Sequence, residues 1–88
     1  MKKKMTLQPE LTLQKSFYNK AIVEYDETGE ISLISYNTKM ITIKDNKIIY
    51  KNDDVNNYTN TTLKHIKDFL YQYLNLTNLN KQKILKLI

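Results

Sequence analysis

The chain contains no cysteine, no arginine and no tryptophan, and only one glycine and one proline in 88 residues. Without cysteine there is no disulfide framework, no thiol nucleophile and no thiolate metal ligand. Without arginine the chain cannot make the bidentate guanidinium contacts that grip phosphates or guanine edges. His65 is the single histidine, so a metal site with ordinary Cys/His ligand spacing is excluded. No run of 18 apolar residues exists to suggest a membrane span. The basic start, Met1 to Lys4, precedes a stretch, Thr6 to Leu13, too polar for the core of a signal peptide. No phosphate-binding loop, dinucleotide fingerprint or nucleophile elbow is present. The expectation is therefore a protein with no cofactor, no metal and no catalytic residue.

What is there bounds the fold. Eighty-eight residues make one domain, and a chain of this size buries roughly 60–65% of its unfolded surface. That suffices for one sheet with one or two helices. The net charge of +5 is carried entirely by lysine, fourteen in number, a pattern that AT-rich codons also supply. Residues 1–20 hold five lysines against one glutamate, and residues 81–88 hold three lysines and no acid. Residues 21–80 hold six lysines against eight acids. The body is thus slightly acidic and the ends are basic. Residues 1–10 read as a mobile basic tail and 11–88 as a single α+β domain.

Alternation of apolar and polar residues predicts strands near 17–26, 31–36, 40–44 and 47–51. Asp26 to Glu30 reads as a three-residue hairpin loop, with Gly29 at the left-handed position. That loop sets Tyr25 against Ile31 and Val23 against Leu33. A two-residue Asn37-Thr38 turn would put Ile41 opposite Ile34, on the wrong face. A longer loop, Asn37 to Lys39, or a bulge, restores the parity. Asp45-Asn46 reads as a two-residue turn, pairing Ile43 with Ile48 and Ile41 with Tyr50. The covered face is then Phe17, Ala21, Val23, Tyr25, Ile31, Leu33, Ile41, Ile43, Ile48 and Tyr50. The far face carries Ile22, Ile34, Tyr36, Thr42 and Ile49.

Leu63, Ile66, Leu70 and Tyr73, widened by Phe69 and Leu74, form the apolar stripe of a helix over 61–75. Asn60 or Thr61 is its expected N-cap, and Lys64, Lys67, Asp68 and Gln72 its outer side. A polar break at Thr77-Asn78 precedes a short helix near 79–87, with one continuous helix of about 26 residues, roughly 39 Å long, as the alternative because no glycine or proline enforces the break. The predicted fold is α+β: a four-stranded antiparallel meander, one long helix on one face, and a short C-terminal helix.

Each candidate site has a plainer reading beside it. His65 with Asp68 one turn on could form an acid–base pair, but a histidine in a first helical turn is usually structural. The carboxylates of Glu24, Asp26, Glu27 and Glu30 gather on one hairpin. A glycosidase-type pair needs a cleft, so the functional reading is an acidic knob aimed at a basic partner surface. Asp53 and Asp54 sit in a solvated loop without the glycine or bidentate glutamate of a calcium loop. Ile34, Tyr36 and Ile49, with Asp53 and Asp54, make a second expected contact set. Lysines 2, 3, 4, 81, 83 and 86 are the residues that a nucleic acid would meet.

Two stretches carry a resemblance. Ser35-Tyr36-Asn37-Thr38, and Tyr58-Thr59-Asn60-Thr61-Thr62-Leu63-Lys64-His65-Ile66, resemble motifs of a family of small phage and prophage proteins without an assigned activity. The match covers about residues 31–70. The resemblance implies an accessory protein of a phage or mobile element of a low-GC Gram-positive host, acting in the host cytoplasm; apart from it, the expectation is a monomer or homodimer with no membrane contact. Its expected partner is a host or defence-system protein, as for anti-CRISPR inhibitors. A basic accessory protein that binds nucleic acid through its terminal lysines is the alternative.

Overall fold

A computed structural model describes residues 3–11, 15–17 and 19–87. Met1, Lys2 and Leu13, which entered the sequence reading, lie outside the described residues, as do Tyr18 and Ile88. Five strands form one antiparallel sheet in sequence order: β1 (Lys3–Thr6), β2 (Ala21–Tyr25), β3 (Ile31–Ser35), β4 (Thr38–Lys44) and β5 (Lys47–Lys51). A single 3-10 turn, Val55–Asn57, leads to α1 (Asn60–Leu74), and α2 (Lys81–Leu85) follows. No helix among the described residues is long and apolar enough to cross a membrane.

The strand count corrects the sequence reading: five strands, not four. The extra strand, β1, comes from the stretch expected to be a mobile tail. It pairs with β2 through Met5 opposite Val23 and Lys4 opposite Glu24, and the opposed charges lie 3.8 Å apart. Leu7, just beyond it, is buried, and its N–H donates to the carbonyl of Ala21 at 2.9 Å. A short lysine-rich strand at a sheet edge has little apolar alternation to announce it, and lysine is common on such edges.

The hairpin from β2 to β3 has the expected register, Tyr25 opposite Ile31 and Val23 opposite Leu33. Gly29 has φ +92°, and the Asp26 N–H donates to the Glu30 carbonyl at 2.9 Å. The next turn is two residues long, Tyr36-Asn37, both at positive φ. It keeps its parity through a register shift between Leu33 and Ile34, so that Ile41 faces Leu33. The bulge anticipated as one solution is thus the one adopted, with Met40 turned inward as a buried residue.

A second bulge overturns the placement of Tyr50. Ile43 faces Ile48 as expected, but the register then shifts, and Tyr50 faces Thr42 rather than Ile41. Tyr50 is therefore on the far face and exposed. Lys51 takes the place opposite Ile41, where its ammonium donates to the carbonyl of Leu85 in α2.

Asparagine does here what glycine does in most chains. Asn19, Asn37, Asn46, Asn75 and Asn78 all have positive φ, a conformation that a short polar side chain tolerates better than most. Asn75 and Asn78 break the helix between Leu74 and Lys81, which gives two helices rather than one. The N-cap of α1 is Thr59, one residue before the expected candidates, and its hydroxyl accepts from the Thr62 N–H at 3.2 Å.

Leu63, Ile66, Phe69 and Leu70 of α1 join Phe17, Ala21, Val23, Leu33, Ile41 and Ile43 in one buried core, with Tyr73 and Leu74 packed against it. Ile84 of α2 belongs to the same core, and Lys51 touches α2 from the helix-covered face. Both helices thus lie on one side of the sheet. Asp68, expected on the outer side of α1, is buried. The N-terminal segment lies over that flank of the helix: the N–H groups of Glu10 and Leu11 donate to Asp68 Oδ1 at 2.8 and 3.1 Å. Gln72 donates to the Gln8 carbonyl at 2.8 Å.

Candidate functional site

The two stretches that carried the resemblance, 35–38 and 58–66, are separate in the chain, and the fold brings them together. Ser35 ends β3, Tyr36 is the first residue of the next turn, Thr38 begins β4, Thr59 caps α1, and Thr61 and Thr62 lie in its first turn. With Met40, Asn56 and Asn57 they line a concavity of about 310 Å³. Apart from Met40 the lining residues carry hydroxyls or amides, and none is charged.

The floor is a chain of hydrogen bonds. Ser35 Oγ lies 3.0 Å from Thr62 Oγ1 and 2.8 Å from His65 Nδ1. His65 is fully buried, edge-on to Phe17 at 4.6 Å and stacked on Tyr36 at 5.8 Å between ring centroids. Its Nε2 has no partner among the described residues. Burial holds the imidazole pKa below its ordinary value, against the opposing pull of the Asp68 carboxylate. The neutral ring is therefore the form present near neutral pH.

A serine hydroxyl beside an imidazole is half of a nucleophilic dyad, but the third group is committed elsewhere. Asp68 Oδ1 accepts from Glu10, Leu11 and Gln72, so it does not orient His65 in the manner of a triad carboxylate. Ser35 is itself 2% exposed and shares its hydroxyl with Thr62. The arrangement positions the wall of the concavity and the ring of Tyr36.

Tyr36 is the unusual residue of the site. Its φ is +49°, a left-handed conformation that costs a bulky side chain roughly 1–2 kcal/mol. Stacking on His65 and an N–H bond to the Lys20 carbonyl at 2.9 Å hold it there. Even so, 48% of its surface is exposed. Val55, next in the chain to the lining residues Asn56 and Asn57, stands 55% exposed in the 3-10 turn.

The loop that carries Val55 is held from within. Asn52 Oδ1 accepts from the Asp54 N–H at 2.9 Å and from Asn57 Nδ2 at 3.2 Å, and its own amide donates to the Lys39 carbonyl. Buried Tyr58 donates its phenol to the Asn52 carbonyl at 2.6 Å. Asp54 caps the 3-10 turn by accepting from the Asn56 N–H at 3.0 Å. A segment that reads as a plain polar linker is thus preorganised.

The anticipated contact residues fall at two ends of the sheet. Tyr36, Asp53 and Asp54 lie at the end where α1 begins, both aspartates being exposed. The acidic hairpin lies at the other. There only Glu27 is an exposed tip, whereas Asp26 accepts from the Thr28 N–H at 2.8 Å and Glu30 from the Thr28 hydroxyl at 3.2 Å. Glu24 is 8% exposed, within β2 beside Lys4. Ile34 is half-buried opposite Ile22 on the uncovered sheet face, and Ile49 is exposed on β5. Sequence reasoning missed Val55 and the Ser35–Thr62–His65 chain, and it read Asn52 only as part of a solvated loop. The run of threonines at the helix entry was the only signal for the last.

Among the described residues, no group of three or more His, Cys, Asp or Glu side chains is placed to hold a metal ion. No curated protein and no solved structure matches the chain. A family of unknown function (DUF8033) matches residues 5–86, from β1 through α2, and the chain belongs to that family.

Proposed function

We propose that this chain is a non-catalytic binding protein that engages a partner protein with the end of the sheet bearing Tyr36 and Val55. The observation that supports the reading is the display of Tyr36. A tyrosine kept in a costly backbone conformation, backed by a buried histidine and half exposed, is placed for contact rather than for packing. Tyrosine is also a residue enriched at protein interfaces, where a rigid ring provides much contact area for little lost entropy. Val55 and the hydroxyl-lined concavity beside it supply an apolar rim and a polar centre.

The resemblance to small phage and prophage proteins supports the setting of this proposal: an accessory protein of a mobile element acting on a host or defence-system protein, an anti-CRISPR-type inhibitor being the sharpest form. That step rests on analogy of setting, not on a residue.

The test is capture from a lysate of a low-GC Gram-positive bacterium on immobilised wild-type chain, a Tyr36→Asn/Val55→Asp variant and a Glu27→Lys variant. The proposal predicts a protein retained by the wild type and by Glu27→Lys but lost by Tyr36→Asn/Val55→Asp. Asparagine suits the left-handed turn position, so the variant should keep its fold, which circular dichroism checks. Retention by the folded Tyr36→Asn/Val55→Asp variant would sink the proposal. Loss by Glu27→Lys alone would move the contact to the acidic hairpin.

A further inference from the structure

A different part of the molecule carries a second binding surface, independent of the Tyr36 end. β5 is the last strand of the sheet order, and among the described residues it pairs on one side only, with β4. Its turn, Asp45-Asn46, has both residues at positive φ, which makes it a two-residue hairpin turn whose flanking pair, Lys44 and Lys47, exchanges hydrogen bonds. The backbone N–H and C=O of the next residue, Ile48, then point off the open edge. Such an edge is a template for one more strand.

The surroundings say what kind of strand. On the helix side, a groove of about 570 Å³ runs between the start of β5 and the end of α1, lined by Ile48, Tyr73, Leu74, Leu76 and Leu87 beside four polar residues, Lys47 among them. Ile48 shares the helix-covered face with Ile43, whereas Lys47 pairs with Lys44 on the other face. An added strand alternates likewise. A residue set beside Ile48 would enter the apolar groove, and its neighbours would emerge beside exposed Lys47 and towards Tyr50. A second copy of β5 fits poorly, because its sequence, Lys-Ile-Ile-Tyr-Lys, has no acidic residue to set beside Lys47.

We infer that β5 accepts an extended peptide of a partner protein as a sixth strand, one that alternates apolar residues, seated in the groove beside Leu74, Leu76 and Leu87, with acidic residues facing Lys47. This is recognition by strand addition, in which main-chain bonds supply affinity and alternate pockets supply selectivity.

The probe is a labelled decapeptide alternating leucine and glutamate, followed by fluorescence anisotropy. A leucine–lysine decapeptide and a leucine–glutamate decapeptide interrupted by proline serve as controls. The expected result is binding of the first peptide, weaker binding of the second and none of the third, with the Ile48 amide gaining protection from hydrogen exchange. Ile48→Pro removes an outward N–H that β4 does not use, and should weaken binding about tenfold or more, the equivalent of one main-chain hydrogen bond. Lys47→Glu, a surface change that leaves the strand intact, should also weaken it, and Tyr36→Asn should not. Equal binding of all three peptides, no binding of any, or undiminished binding by both β5 variants would overturn the inference. So would dimerisation of the chain through β5.

Discussion

At the scale of single residues, the buried histidine governs how the protein responds to acid. His65 is fully enclosed, and one ring nitrogen has no partner among the described residues. Burial lowers its pKa in the fold, while in the unfolded chain it stays near the ordinary value of about 6.5. As pH falls through that value, the unfolded chain takes up the proton first. The histidine therefore leaves stability untouched above about pH 7 and drains it below about pH 6.5, by at most about 1.4 kcal/mol per pH unit for one proton. Urea denaturation of the wild type at pH 7.5 and pH 5.5 should show a fall in midpoint. The same comparison for His65→Gln, which carries no titrating group, should show a distinctly smaller one. Equal falls would place the acid sensitivity elsewhere, in the carboxylates. The acid response should reach the binding end first, because Tyr36 rests on the same ring.

At the scale of elements, two features fix what the sheet and helices can do. The first is the pair of bulges in β4 and β5. One restores Ile41 to the core face, and the other sends Tyr50 out of it, so a single-residue insertion in each case decides which side chain meets water. The second is the fastening of the N-terminal segment to α1. Asp68 accepts two backbone N–H groups of that segment, and Gln72 reinforces it. Hydrogen bonds to a charged acceptor are worth roughly 1.5–3 kcal/mol each in favourable cases. Asp68→Ala should therefore destabilise the fold by about 2–3 kcal/mol, since it also leaves two N–H groups without their acceptor. Hydrogen exchange in this variant should quicken at Glu10 and Leu11 well before it does in β3. If both amides keep their protection, the fastening lies elsewhere, in the burial of Leu7.

At the scale of the whole molecule, the basic charge is split. Lys3 and Lys4 belong to β1, at one edge of the sheet. Lys81, Lys83 and Lys86 belong to or follow α2, which touches β5 at the other edge. Four strand spacings, roughly 19 Å, and the body of the protein separate the two groups. A nucleic acid that used both sets would have to bridge them, whereas a protein contact at the Tyr36 end needs neither. Replacing these five lysines with glutamine should leave partner capture intact. Any nucleic-acid binding by the wild type should show a shallow salt dependence, with few phosphates neutralised at about −0.9 in slope for each. A slope steeper than about −4, abolished by the five substitutions, would restore the nucleic-acid reading.

Much of this architecture was determined by the sequence alone, through local rules. Period-two alternation placed β2 to β5, the Asp26–Glu30 loop set a register that Tyr25 and Ile31 obey, and the stripe from Leu63 to Tyr73 laid α1 on that face. These are contests between neighbours a few residues apart, and side-chain periodicity decides them. The tertiary structure decided the rest, because the partners are far apart in the chain. A lysine-rich start became a strand only because Val23 and Glu24 had a free edge to offer. Asp68 turned inward only because Glu10 and Leu11 brought it N–H groups. Tyr36 left the far face only because His65, far along the chain, gave it a ring to lie against.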